Sequence, residues 1–305
     1  MGTFKESVSC KFLKQSAVVL LFIGALSIVY GCRNNNSDVD SEKTGSVVKT
    51  DNPLKIKLLK YSVKYPNLNL VADEKKSGNI DYHYACKYDF PLSQESPCAD
   101  SIRYYFEKTL FEISSDYLDY KGDASKYQLK NYYQNPEAYI ENVVKAMAQT
   151  SMNQWSNGVD RILWMLRKYE DDNYTSYLYQ DYIVVGTYVG EQFDRGFTFE
   201  KTTGRLLGWN ILKTKELSSI YKDGLLSFFT TLYNRVYTES ELESLLLKQS
   251  NVAIDNIPPP SMPPYLSSEG LVFTYKPNEL VSEMYGIPYF IIPLESLKDY
   301  LNISL

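Results

Sequence analysis

Few residues in this sequence have the type and spacing that catalysis requires. The chain contains a single histidine, His83, so sites that need two imidazoles, such as a histidine-rich zinc centre, are excluded. His83 falls on the polar face of a predicted strand, where an exposed side chain is commoner than a base or a metal ligand. No glycine-rich phosphate loop joins a strand to a helix. The sequence therefore predicts no catalytic residue, no metal ligand and no cofactor.

Acidic residues leave two alternatives open. The run Asp171-Asp172-Asn173 has the oxygen ligands that calcium prefers, but a hairpin turn selects the same residue types, and we interpret the run as a turn. Carboxylates are also plentiful along the chain, and their separations in space do not follow from sequence. An envelope hydrolase that acts on carbohydrate with two carboxylates is therefore an alternative to a non-catalytic protein.

Tyrosine is the unusual component of the composition, with 28 residues against 13 phenylalanines. A ring with a polar edge suits recognition surfaces and sugar stacking, but it also fills half-buried sheet faces, where we expect most of these tyrosines. One group shows no core periodicity. We predict that a ligand-binding surface is formed by this group together with Trp155: Tyr120, Tyr127, Tyr132 and Tyr133.

Residues 1–31 have the pattern of a lipoprotein signal peptide. Three lysines precede an apolar run over 17–30, and Val29-Tyr30-Gly31-Cys32 has the form of a lipobox. Cys32 would then become the lipidated first residue, carrying acyl chains such as palmitate. An ordinary signal peptide or a single anchor helix is the alternative. Residues 32–53 are polar and are predicted to be a flexible linker. We therefore expect a membrane-anchored protein of the cell envelope, in the outer membrane, facing the periplasm or the surface.

Two cysteines remain after the signal peptide and the lipidation site, namely Cys86 and Cys98. A bond between them would close a loop of about 13 residues and could stabilise the fold by roughly 3 kcal/mol. A thiol pair for metal or redox work is the rival interpretation, but the spacing is not that of Cys-x-x-Cys. For an extracytoplasmic protein we predict a disulfide.

The net charge constrains the partners. The chain carries −5, and removal of residues 1–31, with three lysines and one glutamate, makes the remainder more acidic. An acidic protein is a poor partner for nucleic acid or for an anionic lipid surface, although a locally basic groove is compatible with this balance. Long-range steering would instead favour a basic protein ligand.

Hydrophobic periodicity predicts the α+β class: an antiparallel sheet with helices packed on one side, in two closely linked modules. The N-terminal strand and helix module, 54–154, has its clearest strand at 80–90, where alternate residues are apolar. Two helices follow, one over 102–117 and one that Asn135-Pro136 begins. The C-terminal domain, 155–305, is predicted to contain these elements: a hairpin at 159–169 and 174–188, a strand at 193–200, a helix at 217–232, and a helix begun by the capping box Thr238-x-x-Glu241.

The last part of the chain resembles a known family. A strand over 270–275, Pro277-x-Glu279-Leu280-Val281, Gly286, and Ile291-Ile292-Pro293-Leu294 with Leu297 are similar to the C-terminal signature of the RsiV-like family, domain of unknown function 3298. The resemblance covers roughly 155–303, and the N-terminal module is similar in outline to the PdaC-like module that precedes this domain. Members occur as sensory ectodomains that capture lysozyme or as fusions to peptidoglycan deacetylases.

The resemblance implies a role and a site. It implies non-catalytic recognition of a glycan such as peptidoglycan, or of a protein ligand such as lysozyme; a structural or assembly lipoprotein is a further alternative. Family members often carry a Gly-Gly-Ala-His-like turn after the central strand, and the corresponding residues here, Gly190, Glu191 and Gln192, are candidate ligand contacts. We also expect the last two strands, which end in a helix begun by Pro293, to complete one common sheet. The predicted architecture and the implied role both depend on that expectation.

Overall fold

The computed structural model describes residues 52–66, 81–93, 95–118, 135–152, 158–185, 191–246 and 252–304. The chain divides into two compact units, 1–42 and 43–305, and every described residue belongs to the second. The predicted signal peptide, Cys32 and most of the linker lie outside the described residues. Among the helices that the structure describes, none has the length and apolarity needed to cross a bilayer.

A six-stranded sheet forms the larger part of the unit. Its strands follow one another in chain order: β1 (Ile56–Pro66), β2 (Asp81–Pro91), β3 (Val159–Glu170), β4 (Tyr174–Val185), β5 (Glu191–Glu200) and β6 (Leu206–Leu207). All neighbours are antiparallel except β2 and β3, which run parallel. A parallel connection needs a crossover, and the chain supplies it as two helices, α1 (Pro97–Leu118) and α2 (Pro136–Met152). The predicted α+β class is confirmed.

Both crossover helices pack on the same face of this sheet. On β2 the alternation predicted from sequence holds, because Tyr82, Tyr84, Cys86, Tyr88 and Phe90 are all fully buried. The matching helix residues are apolar at helical spacing: Ile102, Phe106 and Leu110 of α1, and Ile140, Val143, Val144 and Met147 of α2. Tyr88 stacks on Phe106 with ring centroids 4.2 Å apart. Many of the surplus tyrosines are therefore core residues, as expected.

The predicted turn residues do form a turn. Asp171 Oδ1 accepts backbone N–H donors from Asn173 at 2.8 Å and Tyr174 at 2.6 Å, and Oδ2 accepts the Tyr169 hydroxyl at 2.6 Å. Both oxygens of this carboxylate are thus used in closing the β3–β4 hairpin.

The closing strands lie in a second sheet. β7 (Tyr265–Leu266), β8 (Leu271–Thr274) and β9 (Tyr289–Ile292) form a separate three-stranded antiparallel sheet. The expectation that the last two strands complete one common sheet is wrong. The edge of the main sheet is already occupied by β6, which pairs with β5 through Thr198 and Leu207. The recognition role that the resemblance implies loses this support and needs an independent one.

The second sheet has its own helices and its own core. α3 (Ser218–Tyr233) covers it, α4 (Glu239–Leu245) follows, and the short α5 (Leu294–Leu297) comes directly after Pro293. The capping box predicted for α4 is confirmed, with Glu241 N donating to Thr238 Oγ1 and Thr238 N donating to Glu241 Oε2. The core includes Phe273, whose ring centroid lies 5.5 Å from that of Tyr221.

Cys86 and Cys98 are free, buried thiols, so the predicted disulfide is corrected. Cys86 lies opposite Leu163 in the middle of the sheet, whereas Cys98 follows Pro97, whose carbonyl group packs against Gly204 in the turn between β5 and β6. A disulfide requires Cα atoms within about 7 Å, and the structure forms no bond between these two cysteines. Burial raises the pKa of both thiols, that of Cys98 to about 12.

Candidate ligand-binding face

The residues predicted for a ligand site are mostly outside the part of the chain that the structure describes. Those outside are Tyr120, Tyr127, Tyr132, Tyr133, Trp155 and Gly190. Glu191 and Gln192 begin β5, and Gln192 is exposed at the end of the main sheet where the chain enters that strand. Because Gln192 is the exposed member of the predicted set, the surface around it is the candidate binding surface.

That surface is the face of the main sheet opposite the helices, which we call the outer face. The strand register places one set of alternate side chains on it, all partly or fully exposed: Leu58, Lys60, Ser62, Lys64, His83, Ala85, Lys87, Asp160, Ile162, Trp164, Gln180, Tyr182, Gln192 and Asp194. The second sheet covers the rest of this face. Ser176 and Thr198 are fully buried there, and Thr198 Oγ1 accepts the backbone N–H of Leu266 at 2.9 Å.

Five side chains form a row straight across the outer face. Lys60, Lys87, Trp164, Gln180 and Asp194 are direct partners in five successive strands. Four inter-strand spacings of about 4.8 Å make this row roughly 19 Å long. A ligand lying across the strands would therefore meet a cation, an aromatic ring, an amide and a carboxylate in that order.

The members of the row contact one another. The Lys87 ammonium nitrogen lies 4.8 Å from the centroid of the Trp164 ring, in cation–π geometry. Gln180 Nε2 donates to Asp194 Oδ1 at 3.2 Å, and Gln192 Nε2 donates to Asp194 Oδ2 at 2.9 Å. Burial raises the pKa of the Asp194 carboxyl, while the two amide donors oppose that shift. The amides thus hold the carboxylate in a fixed position.

A second row runs beside the first. Lys64 of β1 is opposite His83, and His83 is opposite Asp160, whose Oδ1 lies 2.9 Å from His83 Nδ1. Between the rows, Tyr182 is the direct partner of Gln192. The single histidine is therefore half-buried and paired with a carboxylate on the outer face.

Charge is unevenly distributed over this face. The cationic side chains Lys60, Lys64 and Lys87 lie on β1 and β2, whereas Asp160 and Asp194 lie on β3 and β5. Among the described residues neither Lys60 nor Lys64 has an ion-pair partner. The half of the face nearest the edge of the sheet is thus basic, although the chain as a whole is acidic.

The chemistry of the outer face is that of binding. The half-buried indole of Trp164 offers part of its ring for stacking, and the planar polar side chains of Gln180, Gln192, Asp160 and Asp194 offer hydrogen bonds. Within the described residues, no three His, Cys, Asp or Glu side chains are placed to hold a metal ion together. The arrangement fits reversible recognition of a polar ligand with a flat ring.

The helix side of the same strands carries a fully buried ion pair. Arg161 donates from Nε to Asp181 Oδ1 at 3.0 Å and from Nη2 to Oδ2 at 2.6 Å, and the Tyr179 hydroxyl donates to Oδ2 at 3.2 Å. Both charged side chains are closed off from solvent. This pair is part of the core, and sequence reasoning missed it because charged residues at core positions break the expected alternation.

Sequence reasoning also missed the outer face as a site. The alternation predicted along β2 is found, but β3 has apolar residues on both faces, with Ile162 and Trp164 on the side opposite Leu163 and Met165. Period-two alternation therefore did not separate the half-buried indole from the core. The sequence signal that could have found this face is the spacing of Lys60 and Lys64, which puts both lysines on the same side of β1.

Comparison with known proteins shows which solved structures share this fold. No protein-family model matches the sequence, and no curated protein matches it. A crystal structure of a DUF3298 family protein from Pseudomonas aeruginosa aligns with a TM-score of 0.51 and 11% identity, and one from Bacteroides fragilis with 0.50 and 15%. Each alignment covers 82% of this chain and 95% of the other. This chain shares the DUF3298 fold.

Proposed function

We propose that this protein is a lipid-anchored member of the DUF3298 family that binds a glycan of the cell envelope without turning it over. The outer face is its binding surface. Peptidoglycan is the first ligand to test, since the anchor would hold the domain next to it. The observation that carries the proposal is the row from Lys87 to Asp194, in which the half-buried indole of Trp164 is flanked by polar side chains.

The row has the dimensions of an oligosaccharide. Sugar rings present a flat apolar side that stacks on an indole and an equatorial rim of hydroxyls that needs planar hydrogen-bonding partners. Trp164 supplies the indole for stacking, and Gln180, Gln192 and Asp194 supply the planar hydrogen-bonding partners for the hydroxyls. The hydrogen bonds from Gln180 and Gln192 to Asp194 already hold these side chains in place, which reduces the entropy lost on binding.

The proposed location comes from the N-terminal sequence. Three lysines, the apolar run at 17–30 and Gly31-Cys32 fit lipidation of Cys32 after cleavage, and the polar residues that follow fit a tether. Acyl chains contribute about 0.8 kcal/mol per buried CH₂, so an anchor of several chains would be effectively permanent. Metabolic labelling with an alkyne fatty acid, compared between the natural chain and Cys32→Ser, tests the anchor.

A second candidate function is the binding of a protein ligand, such as lysozyme. The observation that favours it is a group of exposed aromatic and apolar side chains in the part of the chain that forms the second sheet and its helices: Tyr233, Val236, Met284, Tyr285 and Tyr289. Tyrosine and methionine are enriched at interfaces, and Tyr289 is 56% exposed while its ring contacts Phe228. A pull-down with a muramidase that Tyr285→Ala and Tyr289→Ala weaken would assign this surface.

Co-sedimentation with purified peptidoglycan sacculi tests the leading proposal. We expect the natural chain to bind and Trp164→Ala to bind roughly thirtyfold more weakly, as for the loss of about 2 kcal/mol at an aromatic anchor. The matched control is Tyr104→Ala, an aromatic residue 59% exposed on α1, on the other side of the sheet. Equal loss in both variants would contradict the proposal, and release of soluble sugar products would point to the hydrolase instead.

A further inference from the structure

Three lysines on the outer face, which we call the lysine stripe, stand out in an acidic chain: Lys60, Lys64 and Lys87. Lys60 and Lys64 are exposed and point the same way from β1, while Lys57, on the opposite side of that strand, pairs with Glu137 of α2. The stripe is therefore confined to the binding face, and the lysine that faces α2 is neutralised.

Lys60 and Lys87 are direct cross-strand partners, so their ammonium groups lie side by side on the outer face. Neither Lys60 nor Lys64 has an ion-pair partner among the residues that the structure describes. A carboxylate bound over β1 would pair with these two lysines.

The stripe is next to the stacking ring. Because the Lys87 ammonium nitrogen is 4.8 Å from the centre of Trp164, one ligand unit of the size of a sugar ring can contact both. A sugar that stacks on the indole and carries a carboxylate would place that charge between Lys87 and Lys60. Lys64 lies four residues further along β1, about 13 Å from Lys60, and extends the basic area of the face in that direction.

We propose that the ligand of the outer face is a linear glycan that carries carboxylate groups. This inference rests on the proposed glycan-binding function and specifies its ligand class. The carboxylates lie over β1 and β2, where the lysine stripe receives them, and the neutral hydroxyl-rich part lies over Gln180 and Gln192. Asp194 and Asp160 accept hydrogen bonds from hydroxyl groups and repel a second carboxylate, which fixes the direction of the chain across the strands.

Lysines on an edge strand can also serve to prevent edge-to-edge pairing between copies. Protection of the edge requires only the charge of Lys60 and Lys64, and it needs neither Trp164 nor Lys87. The two roles are separated by measuring binding, because a purely protective lysine makes no contribution to ligand affinity.

The test is isothermal titration of the full chain in detergent with hyaluronan, in which carboxylate-bearing and neutral sugars alternate, compared with its carboxyl methyl ester. Methylation removes the charge and keeps the sugar chain. We expect hyaluronan to bind about tenfold or more tightly than its ester, with an affinity that falls as salt is added. Lys60→Thr/Lys64→Thr should remove this preference, and Lys57→Thr, as the matched control, should keep it.

The outcomes separate this inference from the function on which it rests. If sacculi or neutral chitin oligomers bind through Trp164 but methyl esters bind as well as the acids, the carboxylate inference is wrong and the glycan function stands. The inference also fails if Lys60→Thr/Lys64→Thr still binds the acid more tightly than the methyl ester. It fails as well if single-stranded DNA of equal charge competes for the site as effectively as hyaluronan does. If no polysaccharide binds, the carboxylate inference and the proposed glycan-binding function are both wrong.

Discussion

Lys60 of β1 lies directly opposite Lys87 of β2 on the exposed face of the main sheet. Their ammonium groups are therefore side by side on this face, and like charges directly opposite each other in an antiparallel pair repel.

Replacement of Lys60 should stabilise the protein and weaken ligand binding at the same time. Lys60→Thr removes the repulsion and adds a β-branched residue, so the free energy of unfolding should rise by about 0.5 kcal/mol and the Tm by about 1–2 °C. Differential scanning fluorimetry measures this. Lys57→Thr, which breaks the pair with Glu137 instead, should not raise the Tm. A lower Tm for Lys60→Thr would contradict the expected repulsion.

The buried pair of Arg161 and Asp181 should behave as a unit. Arg161→Met alone leaves Asp181 as an uncompensated buried charge and should cost about 3–5 kcal/mol. Arg161→Met combined with Asp181→Leu replaces the pair with apolar side chains and should restore most of that loss. Guanidinium unfolding followed by circular dichroism tests this, and a double variant as unstable as the single one would show that the pair has another role.

Cys86 and Cys98 should be inaccessible in the native protein. Burial raises the pKa of both thiols, that of Cys98 to about 12, so neither forms a thiolate near neutral pH. In a chain with Cys10→Ser and Cys32→Ser, a thiol reagent should label nothing under native conditions and two groups after unfolding without reductant. Finding no thiol after unfolding would restore the disulfide.

The carboxyl of Asp194 should make stability depend on pH. Because its pKa is raised in the folded state, the folded protein binds this proton more readily than the unfolded chain, and this contribution to stability is lost as the pH rises through the folded pKa. Asp194→Asn should therefore be more stable than the natural chain at pH 7, and the difference should shrink toward pH 3. The exposed Asp299→Asn is the control, and an equal gain there would exclude burial as the cause.

Much of the fold could be predicted from local patterns in the sequence. The alternation along β2, the helical spacing in α1 and α3, the Asp171 turn and the Thr238 capping box each depend on neighbours within a few residues, and each is found. Such patterns state which face of an element is apolar. They do not state which other element covers that face.

The errors all concern contacts between distant parts of the chain. The pairing of β8 and β9 with each other satisfies the same alternation that a place in the main sheet would satisfy. The spacing of Cys86 and Cys98 along the chain suits a disulfide, but Cys86 lies in the middle of β2 and Cys98 at the start of α1, beside the turn between β5 and β6, and both thiols are free. Trp164 became recognisable as a surface residue only when the register with Lys87 and Gln180 was known.

The central claim, that the outer face binds the ligand, is tested most directly at its own indole. In a chain with Trp155→Phe and Trp209→Phe, Trp164 is the remaining tryptophan, so its fluorescence reports on this face alone. We predict a saturable change in emission as the glycan that co-sediments with the protein is titrated in, with a midpoint equal to the affinity measured by calorimetry. Binding by calorimetry without any change in Trp164 emission would contradict the claim.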